Sequence, residues 1–104
     1  MAILEANNGQ HITEPDDAAI AAALHTLTGG RGEFVRIVRE EAQNYFAQAM
    51  SMKGGLFLLE YRDQYGHMAV DEPLSEEELL EVLAAYARGD DAWVKSYSWA
   101  PVEV

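Results

Sequence analysis

The chain has 104 residues, of which 18 are acidic and 7 basic, so its formal net charge is −11. A chain of this length has room for a single domain, residues 1–104, and its negative field disfavours direct binding to nucleic acid or to anionic membranes. The absence of cysteine excludes disulfides, thiolate metal sites and a cysteine nucleophile. No stretch approaches the roughly 20 apolar residues that span a bilayer, and residues 1–10 lack the pattern of a secretory signal. We therefore expect a cytoplasmic protein.

The first predicted elements are a short strand or loose end at Met1–Glu5 and a helix. Asn7-Asn8-Gly9 indicates a turn between them, because Asn and Gly tolerate positive φ. The helix is predicted from about Glu14 to Thr28, with Thr13 as its N-cap and Gly29-Gly30 as its stop. One apolar stripe recurs along it at helical spacing: Ile20, Leu24 and Leu27.

Alternating and apolar runs then predict four strands. The first covers Glu33 to Arg39 and the second Asn44 to Met52, although the Ala, Gln and Met of the second also suit a helix. Leu56 to Arg62 is the clearest strand, and its apolar run indicates a central position. Residues 63–66 predict a hairpin loop that returns into a strand from His67 to Val70.

The strongest helix signal lies in the last third of the chain. Ser75 followed by Glu78 forms a capping box, and Gly89 is placed to end the helix. The segment 92–104 is too apolar for a free tail, and residues 97–99 predict a further short strand. The fold class is α+β, an antiparallel sheet of three to five strands packed by an N-terminal and a C-terminal helix.

The sequence predicts no catalytic residue, no metal site and no cofactor. His11, His25 and His67 are far apart and form no metal-binding pair. None of the four serines stands in the turn motif of a nucleophile, and the glycine-rich segment 29–32 lacks the ending of a phosphate-binding loop.

One alternative to this reading is a small-molecule pocket near Glu60, Tyr61 and His67. Glu60 lies inside an apolar run, where burial raises the pKa of a carboxyl group. Strand alternation places Arg62 on the same side as Glu60. A structural ion pair across neighbouring strands explains Glu60 better than a functional acid.

The acidic excess is concentrated towards the C-terminal end. Residues 1–70 carry a charge of −4, whereas residues 71–104 carry −7. Acids beside aromatic residues suit an interface with a basic protein. The candidate partner-binding residues are Glu77, Glu78, Glu81, Asp90, Asp91, Trp93 and Tyr97. The alternatives are that the charge serves solubility and that at least one tryptophan belongs to the core.

The second half of the chain, residues 54–99, resembles small acidic proteins related to the immunity proteins of bacterial polymorphic toxin systems. The residues that carry this resemblance are Gly54-Gly55-Leu56-Phe57-Leu58-Leu59-Glu60-Tyr61-Arg62-Asp63, His67, Leu74-Ser75, Glu77-Glu78, Tyr86, Arg88-Gly89-Asp90-Asp91, Trp93 and Trp99. The resemblance implies a protein that binds and blocks a cognate toxin without catalysis.

Three functional hypotheses follow from the sequence. The first is a non-catalytic domain that binds a basic protein, with toxin immunity as its sharpest form. The second is a small-molecule-binding domain. The third is a homodimer formed through an edge strand or through the aromatic tail, residues 92–104.

Overall fold

A computed structural model of the protein describes residues 2–27, 33–40, 45–52 and 54–102. Within these residues the chain forms seven strands and two α-helices. The strands are β1 (Ile3–Ala6), β2 (His11–Thr13), β3 (Phe34–Glu40), β4 (Tyr45–Ser51), β5 (Phe57–Asp63), β6 (Gly66–Val70) and β7 (Trp99–Pro101), and the helices are α1 (Asp17–His25), α2 (Glu76–Ala87) and a 3₁₀ helix (Ala92–Ser96). No helix of the described segments is long and apolar enough to cross a bilayer.

All seven strands belong to one antiparallel sheet in the order β2-β1-β3-β4-β5-β6-β7. The predicted α+β class, the antiparallel sheet and the two helices are confirmed, but the predicted count of three to five strands was too low. β2 was missed because its three residues contain a single apolar side chain, Ile12, which is too short a pattern to signal a strand. It pairs with β1 through the predicted turn, where Gly9 has a φ of 89°.

The predicted first helix was too long at both ends. The side chain of Asp16, rather than Thr13, accepts the Ala19 N–H and caps the helix, so α1 begins at Asp17. Glu14 has a φ of 50°, which is not helical. At the other end the Thr26 hydroxyl donates to the Ala23 carbonyl at 2.7 Å, and this local bond competes with continuation of the helix.

Other boundaries agree more closely with the sequence. The segment that could have been helix or strand is strand β4. The capping box at the start of α2 is present, since the Ser75 side chain accepts the Glu78 N–H while the Glu78 side chain accepts the Ser75 N–H. The final strand, predicted at residues 97–99, lies at Trp99–Pro101 instead, after the 3₁₀ helix. The predicted stop at Gly29-Gly30, the glycine-rich segment 29–32 and the predicted start at Asn44 lie outside the described residues.

The two faces of the sheet have different surroundings. On one face both helices pack over the sheet and complete a single apolar core. Fully buried members of this core are Leu4, Val35, Ile37, Ala47, Ala49 and Leu59 from the sheet, with Ile20, Leu24, Leu79 and Leu83 from the helices. Directly paired residues point to the same side of a sheet, so Tyr61 shares this helix-covered face with Ala47, its partner across β4 and β5.

The opposite face is covered by neither helix, yet it is not simply polar. Val38 and Phe46 are buried there by their neighbours on the same face. The Arg36 guanidinium lies 4.7 Å from the centroid of the Phe46 ring, and the His67 ring meets the same phenyl ring edge to face at 5.4 Å. Long polar side chains therefore shield the apolar residues of this open face from water.

Candidate functional site

The three residues of the predicted small-molecule pocket lie on two different faces of the sheet. Glu60 and His67 share the open face, and the Glu60 Oε1 atom lies 2.6 Å from His67 Nε2. Tyr61 points to the helix-covered face, where its ring meets the rings of Trp93 and Trp99 edge to face. A single pocket therefore cannot be lined by all three side chains.

The Glu60–His67 pair continues into a polar row across the open face. Glu60 lies opposite Gln48 on β4, and Gln48 lies opposite Arg36 on β3. The Gln48 Oε1 atom accepts hydrogen bonds from Arg36 Nε and Nη2 at 3.1 and 3.0 Å. Gln48 and Glu60 are both buried, so this row satisfies polar groups within the sheet surface. No serine, threonine or tyrosine side chain is among these residues, and the row contains no nucleophile of that kind.

A cleft of about 340 Å³ lies between the loop before α2 and the segment that follows the 3₁₀ helix. We call it the acidic cleft; its lining residues are Val70, Asp71, Glu72, Pro73, Leu74, Glu78, Ser96, Tyr97 and Ser98. The backbone N–H of Asp71 donates to the Ser98 carbonyl at 2.9 Å and joins the two sides. Two of the predicted partner-binding residues, Glu78 and Tyr97, line this cleft.

The negative charge of the acidic cleft acts on Tyr97. Partial burial raises the pKa of the Tyr97 phenol, and the nearby carboxylates of Glu78 and Glu81 raise it further. The Tyr97 hydroxyl therefore stays protonated beside these acids. Glu77 and Glu81 are exposed one turn apart on α2, so they extend the acidic surface beyond the cleft.

The remaining partner-binding candidates hold the tail against the fold. Arg39 Nη1 and Nη2 donate to the two carboxylate oxygens of Asp91 at 2.8 and 2.9 Å. Asp90 accepts the Ala92 N–H through its side chain and the Trp93 indole N–H through its backbone carbonyl. Trp93 itself is buried in the core.

A second recess, of about 550 Å³, lies on the helix-covered side beside the 3₁₀ helix. We call it the aromatic cavity; it is lined by Arg39, Tyr45, Tyr61, Arg62, Asp63, Tyr65, Met68, Tyr86, Asp91, Trp93, Val94 and Lys95. Trp93 meets Tyr61 and Tyr86 edge to face at centroid distances of 5.5 and 6.1 Å. The 3₁₀ helix thus separates two recesses of opposite character, one acidic and one aromatic.

A third recess, of about 800 Å³, lies between the start of α1 and the end of α2. Most of its charged groups already form an ion pair or a helix cap within the fold. Asp16 caps α1, Asp17 lies 3.5 Å from Arg88, and the Arg39 guanidinium is held by Asp91. It offers a ligand few charged groups without a partner.

Comparisons with models of known protein families, with curated proteins and with solved structures found no match. Among the described residues, no group of three or more histidine, aspartate or glutamate side chains could hold a metal ion.

Sequence reasoning missed the residues that organise the tail and the open face. Arg39 stacks its guanidinium 4.1 Å from the centroid of the Tyr86 ring and also binds Asp91, 52 positions away in sequence. Arg36 lies between the Phe34 and Phe46 rings. The only available signal was the presence of two arginines among the apolar residues of strand β3, because their partners are distant in sequence.

Proposed function

We propose that this protein is a non-catalytic domain that binds a basic protein, and that a lysine or arginine side chain of the partner enters the acidic cleft. One observation carries the proposal. Asp71, Glu72 and Glu78 line a single cleft, and none of them forms an ion pair within the part of the chain that the structure describes.

Electrostatics favours a cation at this place. Carboxylates that share a cleft repel one another, and a bound ammonium or guanidinium group relieves that repulsion. The cleft also offers the hydroxyl groups of Ser96, Tyr97 and Ser98, which can accept hydrogen bonds from such a group. Glu77 and Glu81 add negative charge at the exposed rim and would attract a basic partner during its approach.

Toxin immunity is the most specific form of this function. Residues 54–99 carry the resemblance to immunity proteins. They include α2, every lining residue of the acidic cleft and most of the tail. A toxin that acts on nucleic acid presents a basic active site, and an acidic surface would cover such a site by charge complementarity. In this role the protein needs no catalytic residue of its own.

The cleft can be tested first with a defined basic probe, a hexalysine peptide, by calorimetric titration. In the variant D71N/E72Q/E81Q, which removes two charges of the cleft and one of its rim, we expect a clear loss of affinity. The matched control E5Q/E14Q/D17N loses the same formal charge elsewhere on the protein and should bind nearly as well as the wild type. Equal losses in the two variants would show that total charge, and not the cleft, determines binding.

The biological partner can be sought in the protein encoded by the adjacent reading frame. If that protein is a toxin, co-expression should restore growth and yield a complex that dissociates as the salt concentration rises. The cleft variant D71N/E72Q/E81Q should restore growth less well than the control variant. Light scattering of the isolated protein would separately decide the homodimer hypothesis.

A further inference from the structure

We propose that the aromatic cavity is a binding site for a small planar aromatic molecule that carries one carboxylate group. This site lies on the other side of the 3₁₀ helix from the acidic cleft and has the opposite charge preference. The proposal is independent of the partner-binding function, because it depends on different residues.

The size and walls of the aromatic cavity suit a planar ligand. Its volume of about 550 Å³ lies within the range of roughly 300–1,000 Å³ that is usual for small-molecule sites. Five aromatic side chains line it: Tyr45, Tyr61, Tyr65, Tyr86 and Trp93. Buried Trp93 is fixed by Tyr61 and Tyr86, whereas Tyr65 is 86% exposed and stands at the rim. A flat apolar molecule can stack on such rings and displace water from them.

The charges around the cavity favour an anion more than the rest of this acidic chain does. Three of the seven basic residues, Arg39, Arg62 and Lys95, are in its lining, but Arg62 follows Tyr61 on β5 and directs its side chain to the open face. The remaining charges of the lining, Arg39 and Lys95 against Asp63 and Asp91, balance in a protein of charge −11. The recess therefore lacks the acidic excess that the chain as a whole carries.

The two acids of the lining are already engaged. Both carboxylate oxygens of Asp91 accept hydrogen bonds from Arg39. Asp63 accepts the Tyr65 backbone N–H at 2.9 Å within the β5–β6 turn. Lys95 forms no ion pair within the described segments, so its charge remains available to a ligand carboxylate.

Tyr61 supplies a donor at the cavity wall. Burial and the neighbouring Asp63 carboxylate both raise the pKa of the Tyr61 phenol. At neutral pH its hydroxyl is therefore protonated and can donate a hydrogen bond to an oxygen of the ligand.

Three probes of the same shape and different charge test the site: cinnamate, cinnamamide and cinnamylamine. Affinities are measured by calorimetry, and the location by amide chemical-shift changes in a titration of the ¹⁵N-labelled protein. We expect cinnamate to bind about fivefold more tightly than cinnamamide, as for one solvent-accessible ion pair, and cinnamylamine to bind most weakly. The shift changes should centre on Asp63, Tyr65 and Lys95 and leave His11 unchanged.

Three exposed positions give variants that leave the core intact. Lys95→Gln should bring cinnamate and cinnamamide to similar affinities, whereas Arg88→Gln, the matched control for lost positive charge, should keep the difference. Tyr65→Ala should weaken both probes. The proposal is overturned if no probe shifts the resonances around the cavity at millimolar concentration. It is equally overturned if cinnamylamine binds most tightly or if Lys95→Gln leaves the preference for cinnamate unchanged.

Discussion

The Glu60 carboxylate and the His67 imidazole meet at 2.6 Å on the open face of the sheet, between neighbouring strands β5 and β6. Their side chains are only 11% and 20% exposed. The bond joins the two strands of a hairpin and fixes the orientation of the His67 ring, whose edge-to-face contact covers Phe46. A pair that could have belonged to an active site thus serves to shield an apolar surface that no helix covers.

Removal of the imidazole should destabilise the protein. His67→Ala leaves the Glu60 carboxylate buried without its partner, so we expect the free energy of unfolding to fall by about 1–3 kcal/mol. Denaturant unfolding followed by circular dichroism measures this change. Arg62→Ala, an exposed change on the same face, should cost less than about 0.5 kcal/mol. Equal effects of the two substitutions would show that the Glu60–His67 bond contributes little.

The contact between Arg39 and Asp91 should depend on the shape of the guanidinium group as well as on its charge. Lysine cannot form the paired hydrogen bonds to Asp91 or stack as a plane over Tyr86. Because the Asp91 side chain is 52% exposed, we expect Arg39→Lys to lower the free energy of unfolding by only about 1 kcal/mol. Arg88→Lys, at the more exposed pair with Asp17, is the control and should change stability very little. Thermal unfolding of both variants decides the matter.

The architecture could be predicted from local patterns more fully than the site could. The Ser75–Glu78 capping box, the alternation of β3 and the apolar run of β5 are properties of neighbouring residues, so the sequence shows them directly. The order of strands in the sheet depends instead on long-range pairing, such as that of β1 with β3. β2 and β7 have three residues each and acquire their structure from these neighbours.

The candidate site also depends on long-range contacts, so the sequence predicts it only in part. Glu78 and Tyr97 could be selected by charge and aromatic character, but their shared cleft depends on how the tail returns to the loop before α2. Likewise, adjacent residues in a strand point to opposite faces, and this separates Glu60 from Tyr61. The meeting of charged residues at the aromatic cavity could not be seen in the sequence, because Arg39, Asp63 and Lys95 come from three distant segments.

Stability and partner binding should be separable within the first turns of α2. Ser75→Ala removes the side-chain cap and should lower the free energy of unfolding by about 1 kcal/mol, while hexalysine binding stays close to that of the wild type. Glu81→Gln should have the opposite profile, with weaker binding and nearly unchanged stability, because Glu81 is exposed and caps nothing. Unfolding curves and peptide titrations of both variants test this. Loss of binding in Ser75→Ala at a temperature where it remains folded would contradict the assignment.

The two tyrosines beside acidic groups should make the protein sensitive to alkaline pH. The pKa values of Tyr61 and Tyr97 are raised in the folded protein, so the folded state holds these protons more tightly than the unfolded state. Their contribution is complete below about pH 10, the ordinary pKa of tyrosine, and is lost as the pH rises through the raised values. The free energy of unfolding should therefore fall above about pH 10, in step with the ultraviolet absorbance of tyrosinate. Tyr97→Phe removes one of these phenols and should make the fall shallower; an unchanged slope in this variant would show that Tyr97 does not contribute.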